Sequence, residues 1–323
     1  MKVVLVGAGM IEIPPPGYGG VENHIANLAR HLPAAGVEVE VMNRVFGAGG
    51  RNEYRFARWA RRALRGTERD VVHVHTSGVG AVFAALGPQY AYTSHSRHWM
   101  SREGWRERFG FAMERRAVRG AAGVVALSPT VADLLAREGV RAEVIPTGVD
   151  VHRYTPGTRP KSGSKVVALG VVAPHKQLHV AAKALEGSEA RLVLLGPVRD
   201  AAYANRLRER GADVRGELPP DEILEELRSA DVFVHPSTSE NLPGAVLEAM
   251  ACGLPCVVTD ACAGQVVAGV GGEVVPASAP EEERVRRFGD AVRSLLADDA
   301  RREAWGRAAR ERAVEVYAWE AVA

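Results

Sequence analysis

Asp231-Val232-Phe233-Val234-His235-Pro236-Ser237-Thr238-Ser239-Glu240-Asn241-Leu242-Pro243-Gly244-Ala245-Val246-Leu247-Glu248-Ala249-Met250-Ala251-Cys252-Gly253-Leu254-Pro255 runs straight into Cys256-Val257-Val258-Thr259. Apolar runs of strand length, 231–235 and 256–259, bracket the stretch, and 243–252 between them reads as a helix. Pro243 suits the first helical turn, where its missing N–H has no intrahelical partner, and Gly253 suits the helix end. Strand, helix and strand at this spacing make a βαβ unit with parallel strands.

The same alternation extends in both directions. Strands are expected at 165–169, 191–195 and 213–215, with helices at about 176–186, 199–210, 221–229 and 281–298. In the first half, strands are expected at 3–6, 37–41, 71–75, 90–94, 123–127 and 142–145, separated by helical stretches. In the first of these stretches Val21, Ile25, Leu28 and Leu32 share one stripe. Glu38 and Glu40 alternate with valines, which marks 37–41 as a strand near a sheet edge. The pattern lapses over 150–164, where Pro156, Gly157, Pro160, Ser162, Gly163 and Ser164 read as a linker. The expected fold class is α/β: two tandem doubly wound Rossmann-like domains, 1–155 and 156–305, with a cleft between them. A helical tail, 306–323, follows, with a break near Tyr317. In such sheets ligands bind beyond the carboxyl ends of the strands.

Bulk properties agree. A chain of 323 residues, 46% apolar and 25% charged, suits two globular domains. Three cysteines, Cys252, Cys256 and Cys262, are too few for a disulfide framework and point to packing in a reducing compartment. Met1-Lys2-Val3-Val4-Leu5-Val6-Gly7 has one cation and a short apolar run, so a first strand is expected there rather than a signal peptide. No apolar stretch approaches the roughly 18 residues of a membrane span. Net charge is +2, yet 51–119 holds 14 Arg, no Lys and 6 acidic residues, a local +8 that leaves −6 for the remainder. A basic first half suggests an anionic partner or a solvated face. Tyr54, Phe56, Trp59 and Leu64 lie among its arginines, as do Trp105, Phe109 and Phe111 beside Arg102, Arg106 and Arg108. Basic stretches interleaved with aromatics lie on anionic lipid surfaces, which suggests a peripheral membrane contact and a lipid-linked or anionic acceptor. No nucleic-acid-binding module is present.

Gly7-Ala8-Gly9 opens a dinucleotide fingerprint, but Glu12 stands where its third glycine belongs, and Pro14, Pro15 and Pro16 separate the loop from the next helix. Gly17-Tyr18-Gly19-Gly20 lies directly before that helix, where glycines let a backbone approach a phosphate or simply form a tight turn. Glu240 in the loop and Glu248 in the helix form a carboxylate pair. The helix rises about 7.5 Å from Pro243 to Glu248, a span suited to gripping two parts of an extended ligand. A capped surface helix with two incidental acids is the alternative. His73, His75, His98, His152, His179 and His235 read as packed or solvated, and no zinc-ligand spacing or Asp-x-Asp metal motif occurs.

The Glu240–Glu248 spacing, continued by Ala249-Met250-Ala251-Cys252-Gly253-Leu254-Pro255, resembles the Glu-x7-Glu motif of retaining glycosyltransferases of the GT-B fold, especially family 4. Other blocks resemble that family in the same order: Gly19-Gly20-Val21-Glu22, Val71-Val72-His73-Val74-His75, Thr93-Ser94-His95, Val124-Val125-Ala126-Leu127-Ser128, Ile145-Pro146-Thr147-Gly148-Val149-Asp150 and Tyr317-Ala318-Trp319-Glu320. The similarity covers nearly the whole chain. It implies a hexosyltransferase that moves a sugar from a nucleoside-diphosphate sugar, UDP- or GDP-type, to a hydroxyl acceptor such as a glycan or lipid-linked group. It further implies retention of configuration without a metal or other cofactor, in the cytoplasm or peripherally on the inner membrane face. The tail would cross back to the first domain.

By this resemblance Glu240, His95 and Lys176 carry the chemistry: Glu240 on the transferred sugar, His95 by sugar and acceptor, and Lys176 on the donor diphosphate. Gly19, Gly20, Gly170, Asn241, Leu242, Pro243, Gly244 and the ribose ligand Glu248 complete the donor site. Lys176 is one of five lysines. Several positions depart from the family pattern: Val171-Val172 follow Gly170 where an Arg is usual, Thr147 replaces Asn, Asn241 replaces Gly, and Ala263-Gly264 stand for two glycines. His175 or Arg199 is a candidate substitute cation. Sugar-nucleotide epimerases and phosphorylases share this architecture, and a non-catalytic sugar-nucleotide-binding subunit is a further class.

Overall fold

The computed structural model describes the chain except residues 18, 48–49, 88, 96–103, 159–163 and 262–263, and except the side chains at 50, 86, 104, 106 and 107. Tyr18, His98, Arg102, the Arg106 side chain, Pro160, Ser162, Gly163, Cys262 and Ala263 therefore lie outside the described residues. The chain forms two compact units, Met1–Gly148 with Val322–Ala323, and Val149–Ala321.

The first unit is built on strands β1 (Lys2–Val6), β2 (Glu38–Met42), β3 (Val71–Val74), β4 (Ala91–Ser94), β5 (Gly123–Ala126) and β6 (Glu143–Val144). They pair in parallel in the order β2-β1-β3-β4-β5-β6. Helices α1 (Gly20–His31), α2 (Gly50–Ala63), α3 (Ser77–Leu86), α4 (Gly104–Gly120) and α5 (Pro129–Arg137) connect them. β2 lies at the sheet edge as its alternating glutamates predict, and Lys2 Nζ reaches Glu38 at 3.0 Å and Glu40 at 3.7 Å. The inner strands are buried on both faces, which explains their unbroken apolar runs. The buried Tyr90 hydroxyl donates to the carbonyl oxygens of Gly80 (2.8 Å) and Ala117 (2.7 Å), tying α3 to α4.

The second unit repeats the architecture with β7 (Lys165–Leu169), β8 (Arg191–Leu195), β9 (Asp213–Gly216), β10 (Val232–His235), β11 (Cys256–Thr259) and β12 (Gly272–Val275), ordered β12-β11-β10-β7-β8-β9. Its helices are α6 (Leu178–Leu185), α7 (Ala201–Glu209), α8 (Pro220–Arg228), α9 (Gly244–Ala251), α10 (Gly264–Val267), α11 (Glu281–Ala297) and α12 (Asp299–Tyr317), with α13 (Trp319–Val322) at the end of the chain. β12 and α10 have no counterpart in the sequence reading. β12 has only two valines behind paired glycines, and a Cβ at Gly272 would meet the Cys256 carbonyl oxygen at 2.5 Å.

Two boundaries differ from expectation. The second unit begins at Val149, ahead of the Pro- and Gly-rich stretch, because the Val149 N–H donates to the Tyr317 carbonyl (2.7 Å) and Val149 and Val151 join its core. α12 starts at Asp299, ends at Tyr317 where the tail was expected to break, and buries Gly306, Ala309, Ala313 and Tyr317. Pro243 precedes α9 as its cap residue instead of occupying the first turn, while Gly253 takes the left-handed conformation (φ 70°) that closes the helix.

Candidate functional site

Each sheet reverses its strand order at one point, between β1 and β3 in the first unit and between β7 and β10 in the second. Connections leave in opposite directions there and open a crevice at the carboxyl ends of the strands. The second unit's crevice holds most of the expected site residues.

β7 is followed by Gly170 (φ 151°), whose carbonyl oxygen a Cβ on Gly196 would meet at 2.2 Å; the two strand ends are in backbone contact. Val172 is buried and donates its N–H to the Pro197 carbonyl (3.0 Å), so the pair replacing the usual arginine packs into the sheet end. A tight turn, Pro174–Lys176, then leads through Gln177 into α6; Gln177 has a positive φ of 55°, the one non-glycine residue so placed among the described residues. This turn delivers Lys176 to Glu240, in the loop after β10, where the ammonium and carboxylate form a mostly buried ion pair. His235, the last residue of β10, places Nε2 3.4 Å from the same carboxylate oxygen. Burial pushes the Glu240 carboxyl up, but the His235 contact and the Lys176 charge outweigh it and hold the acid down at about 2.

Glu248 sits on α9, whose Val246, Leu247, Ala249, Met250 and Ala251 are buried. Burial raises its carboxyl to about 7, against the opposing effects of a hydrogen bond from Tyr154 and the nearby Arg153 charge. The guanidinium of Arg310 on α12 donates to the carbonyl oxygens of Tyr154 (2.6 Å), Val151 (2.8 Å) and Ala251 (2.8 Å), fixing the segment that carries Arg153 and Tyr154 against the end of α9. Asn241 is buried, Leu242 packs on the core, and Gly244 opens the helix with no atom within 4 Å of where a Cβ would stand. His175 and Arg199, the candidate substitute cations, are exposed, and the Arg199 N–H donates to the Val172 carbonyl (3.1 Å).

In the first unit, Gly19 caps α1 with Ile11 and Pro15 packed about it, and Gly20 is open. The Gly7–Gly9 loop is filled by its own chain: a Cβ would meet Asn43 at 2.7 Å from Gly7 and Phe56 at 2.5 Å from Gly9. His95 follows β4 and does not stand alone. Its Nε2 is 3.1 Å from His75 Nδ1, and its ring lies 4.7 Å from that of His24. His24 Nδ1 contacts Thr147 Oγ1 at 2.9 Å, so the threonine that departs from the family pattern has a structural partner. His73 Nε2 contacts Thr93 Oγ1 at 2.7 Å. Burial lowers all four imidazoles, His73 to about 4 and His95 to about 3, with the neighbouring histidines adding to the effect at His24, His75 and His95. Below this group the buried Glu114 accepts from Tyr92 (2.9 Å) and Ser94 (2.8 Å).

Glu240, Lys176, Glu248 and His95 are marked by their sequence context. His235, Tyr154, Arg153, Arg310 and the grouping of His24, His73 and His75 are not. The histidines at strand ends, 73, 75 and 235, carried a usable signal in their position; Tyr154 and Arg310 carried none, because their role depends on long-range packing.

Two doubly wound parallel units in tandem, the second with its cation and carboxylates at the strand switch, define the GT-B class of fold. Residues 156–312 match the family described as Glycosyl transferases group 1, and residues 18–153 match Glycosyltransferase Family 4. The chain belongs to these glycosyltransferases. It is 30% identical to the alpha-maltose-1-phosphate synthase of Mycolicibacterium smegmatis, over 97% of this chain and 95% of that protein. It is 26% identical to the D-inositol 3-phosphate glycosyltransferase of Acidothermus cellulolyticus, over 80% of this chain and 74% of that protein. Among solved structures, it matches the sucrose-phosphate synthase of Thermosynechococcus elongatus with a TM-score of 0.85 at 20% identity, covering 99% of this chain and 96% of that one. Anabaena HepE, solved with UDP and glucose, matches at 0.76 and 20%, covering 100% and 97%.

Proposed function

We propose that the chain is a retaining, hexosyltransferase-type enzyme that moves a sugar from a UDP- or GDP-type donor to a hydroxyl acceptor, with no divalent ion on the diphosphate. The observation that carries this reading is the Lys176–Glu240 pair at the β7–β10 switch of the second unit. An ionised Glu240 accepts hydrogen bonds from sugar hydroxyls, and Lys176 stabilises the charge that grows on the departing diphosphate. Glu248 takes the ribose hydroxyls, with Tyr154 and Arg310 fixing its surroundings. Gly170 and the segment from Asn241 through Leu242 and Pro243 to Gly244 bring backbone to the donor, and the family resemblance assigns Gly19 and Gly20 of the first unit to the donor as well. No carboxylate is assigned as a covalent nucleophile. The acceptor hydroxyl attacks on the face the diphosphate leaves, a diphosphate oxygen takes its proton, and His95 orients the acceptor; the protein supplies positioning and charge.

The test is a panel of nucleoside diphosphates and their sugars read by thermal shift, followed by transfer assays of Glu240→Ala. One base is expected to stabilise the second unit, and Glu240→Ala is expected to lose about 10²–10³ in turnover. Near-normal turnover in the variant, or no shift with any sugar nucleotide, rejects the proposal.

The acceptor reading rests on the first unit's surface. Trp105 and Phe109 on α4 are 74% and 61% exposed, Tyr54 on α2 is exposed, and the last turn of α2 carries Arg61 and Arg62. These features support a peripheral contact with anionic lipid on the cytoplasmic face and a lipid-linked acceptor. No helix among the described residues is long and apolar enough to cross a membrane. Flotation with anionic vesicles at low salt is expected to carry the protein, and Trp105→Ala with Phe109→Ala to release it; protein that stays in the pellet fraction rejects the contact.

A further inference from the structure

We propose that His24, His75 and His95 form a binding site for a late first-row divalent cation, zinc being the best match. Each ring offers one nitrogen, and the three nitrogens lie within 4.8 Å of one another. The ligands come from three separate elements at the carboxyl edge of the first sheet: α1, the residue after β3, and the residue after β4. No short spacing in the sequence announces them.

The ring arrangement favours a shared ion over simple stacking. Ring centroids lie 4.7 Å apart for His24 and His95, 5.4 Å for His75 and His95, and 5.5 Å for His24 and His75, with planes crossing at 76°, 43° and 56°. A tetrahedral zinc holds nitrogens at about 2.0–2.1 Å, which sets ligand nitrogens roughly 3.3–3.4 Å from one another. His75 Nδ1 and His95 Nε2 are already 3.1 Å apart, so an ion can replace the hydrogen they share, and the His24 nitrogen, within 4.8 Å of the others, has to close by at most about 1.5 Å.

The surroundings are those of a supported site. Thr147 Oγ1 holds His24 Nδ1 at 2.9 Å, the kind of outer contact that fixes a ligating imidazole. His73 is pinned to Thr93 and packs its ring 4.3 Å from that of His75, forming a wall of the site rather than a fourth ligand. Three imidazoles with no carboxylate among them suit zinc, copper, nickel or cobalt and disfavour magnesium and calcium. Three protein ligands leave the fourth position open for a water or another small oxygen ligand. All three ligands belong to the first unit, and one of them, His95, is also the residue assigned to the acceptor, so the site is tested by its metal spectrum and not by transfer.

The experiment uses the full chain stripped with a chelator and titrated with cobalt(II), then with zinc. One cobalt per chain is expected, with the intense visible bands of tetrahedral coordination, displaced by an equimolar amount of zinc. His75→Ala and His24→Gln are each expected to weaken zinc at least tenfold, while His152→Ala, at an exposed histidine, leaves it unchanged. Thermal melts establish that each variant is folded; should His75→Ala not fold, His24→Gln and the wild-type cobalt spectrum decide alone. Absence of stoichiometric binding, weak octahedral-type bands, or zinc bound equally by wild type and His24→Gln overturns the proposal. Glu240→Ala is expected to keep its zinc, so loss of transfer and loss of metal are separate outcomes.

Discussion

The two units place their polar groups at the same point of the same architecture, yet burial there has opposite electrostatic results. In the second unit Glu240 stays ionised in a largely desolvated position because Lys176 and His235 face it. In the first, His24, His75 and His95 are driven neutral, because burial and one another's proximity both oppose a charge and no carboxylate among the described groups compensates. The fold determines where a ligand meets the sheet. Whether that place is charged depends on the groups facing it from neighbouring strand ends, as Lys176 after β7 and His235 at the end of β10 face Glu240, and as nothing comparable does after β1 among the described residues.

The sharpest way to break the comparison is through Arg310, which serves the second unit alone. Arg310→Ala removes three hydrogen bonds from a charged donor and leaves the Val151, Tyr154 and Ala251 carbonyl oxygens short of a partner. A cost of about 3 kcal/mol is expected, a fall of roughly 6–12 °C in melting temperature for a unit of this size. Hydrogen exchange is expected to rise in α9 and in 149–155 while the first unit's β3 and β4 keep their protection. Equal loosening of both units contradicts the picture of Arg310 as a local clamp.

Much of the second unit's site is legible because it is contiguous. Glu240 and Glu248 lie on one loop and the helix it starts, the spacing is visible in one stretch, and a lone lysine after a strand end draws notice. The fold is legible for a similar reason: strands buried on both faces write themselves as unbroken valine and leucine runs, as in 165–169 and 191–195. What escapes is whatever depends on distant segments meeting. His24, His75 and His95 are far apart in sequence and each alone resembles a packed histidine. Tyr154 sits in a stretch whose prolines and glycines suggest a linker, and only the carbonyls held by Arg310 reveal it as part of the core. β12 escapes because its strand signal is two residues long.

A smaller effect sharpens the contrast between the two carboxylates. Glu248 is raised from 4.5 to about 7 by burial, so the folded state favours its protonated form. The stability this contributes is present below pH 4.5 and is lost as pH rises through 7. Relative to Glu248→Gln, the melting temperature of the wild type is expected to decline across that window. Donor binding moves the other way, since only the carboxylate accepts from both ribose hydroxyls: affinity for a sugar nucleotide, whose diphosphate has no proton to lose in this range, is expected to rise several-fold from pH 6 to 8 and to be flat for Glu248→Gln. Calorimetric titration at three pH values reads it; a wild type as flat as the variant rejects the assignment of Glu248 to the ribose.

The smallest expected effect concerns the cation the second unit lacks. Val171 is half-buried beside the fully buried Val172, at the strand end from which Lys176 departs. If Lys176 carries the diphosphate alone, a second positive group at this edge adds to it, but an arginine here remains partly solvated and its gain is that of a surface pair, about 0.5–1 kcal/mol. Val171→Arg is therefore expected to tighten the nucleoside diphosphate about two- to fivefold at low ionic strength and to lose that advantage near 1 M salt, where screening acts over about 3 Å. Unchanged affinity at low salt would mean that the edge is already neutralised, by His175 or Arg199, and the comparison would then rest on two cations at the second unit's crevice instead of one.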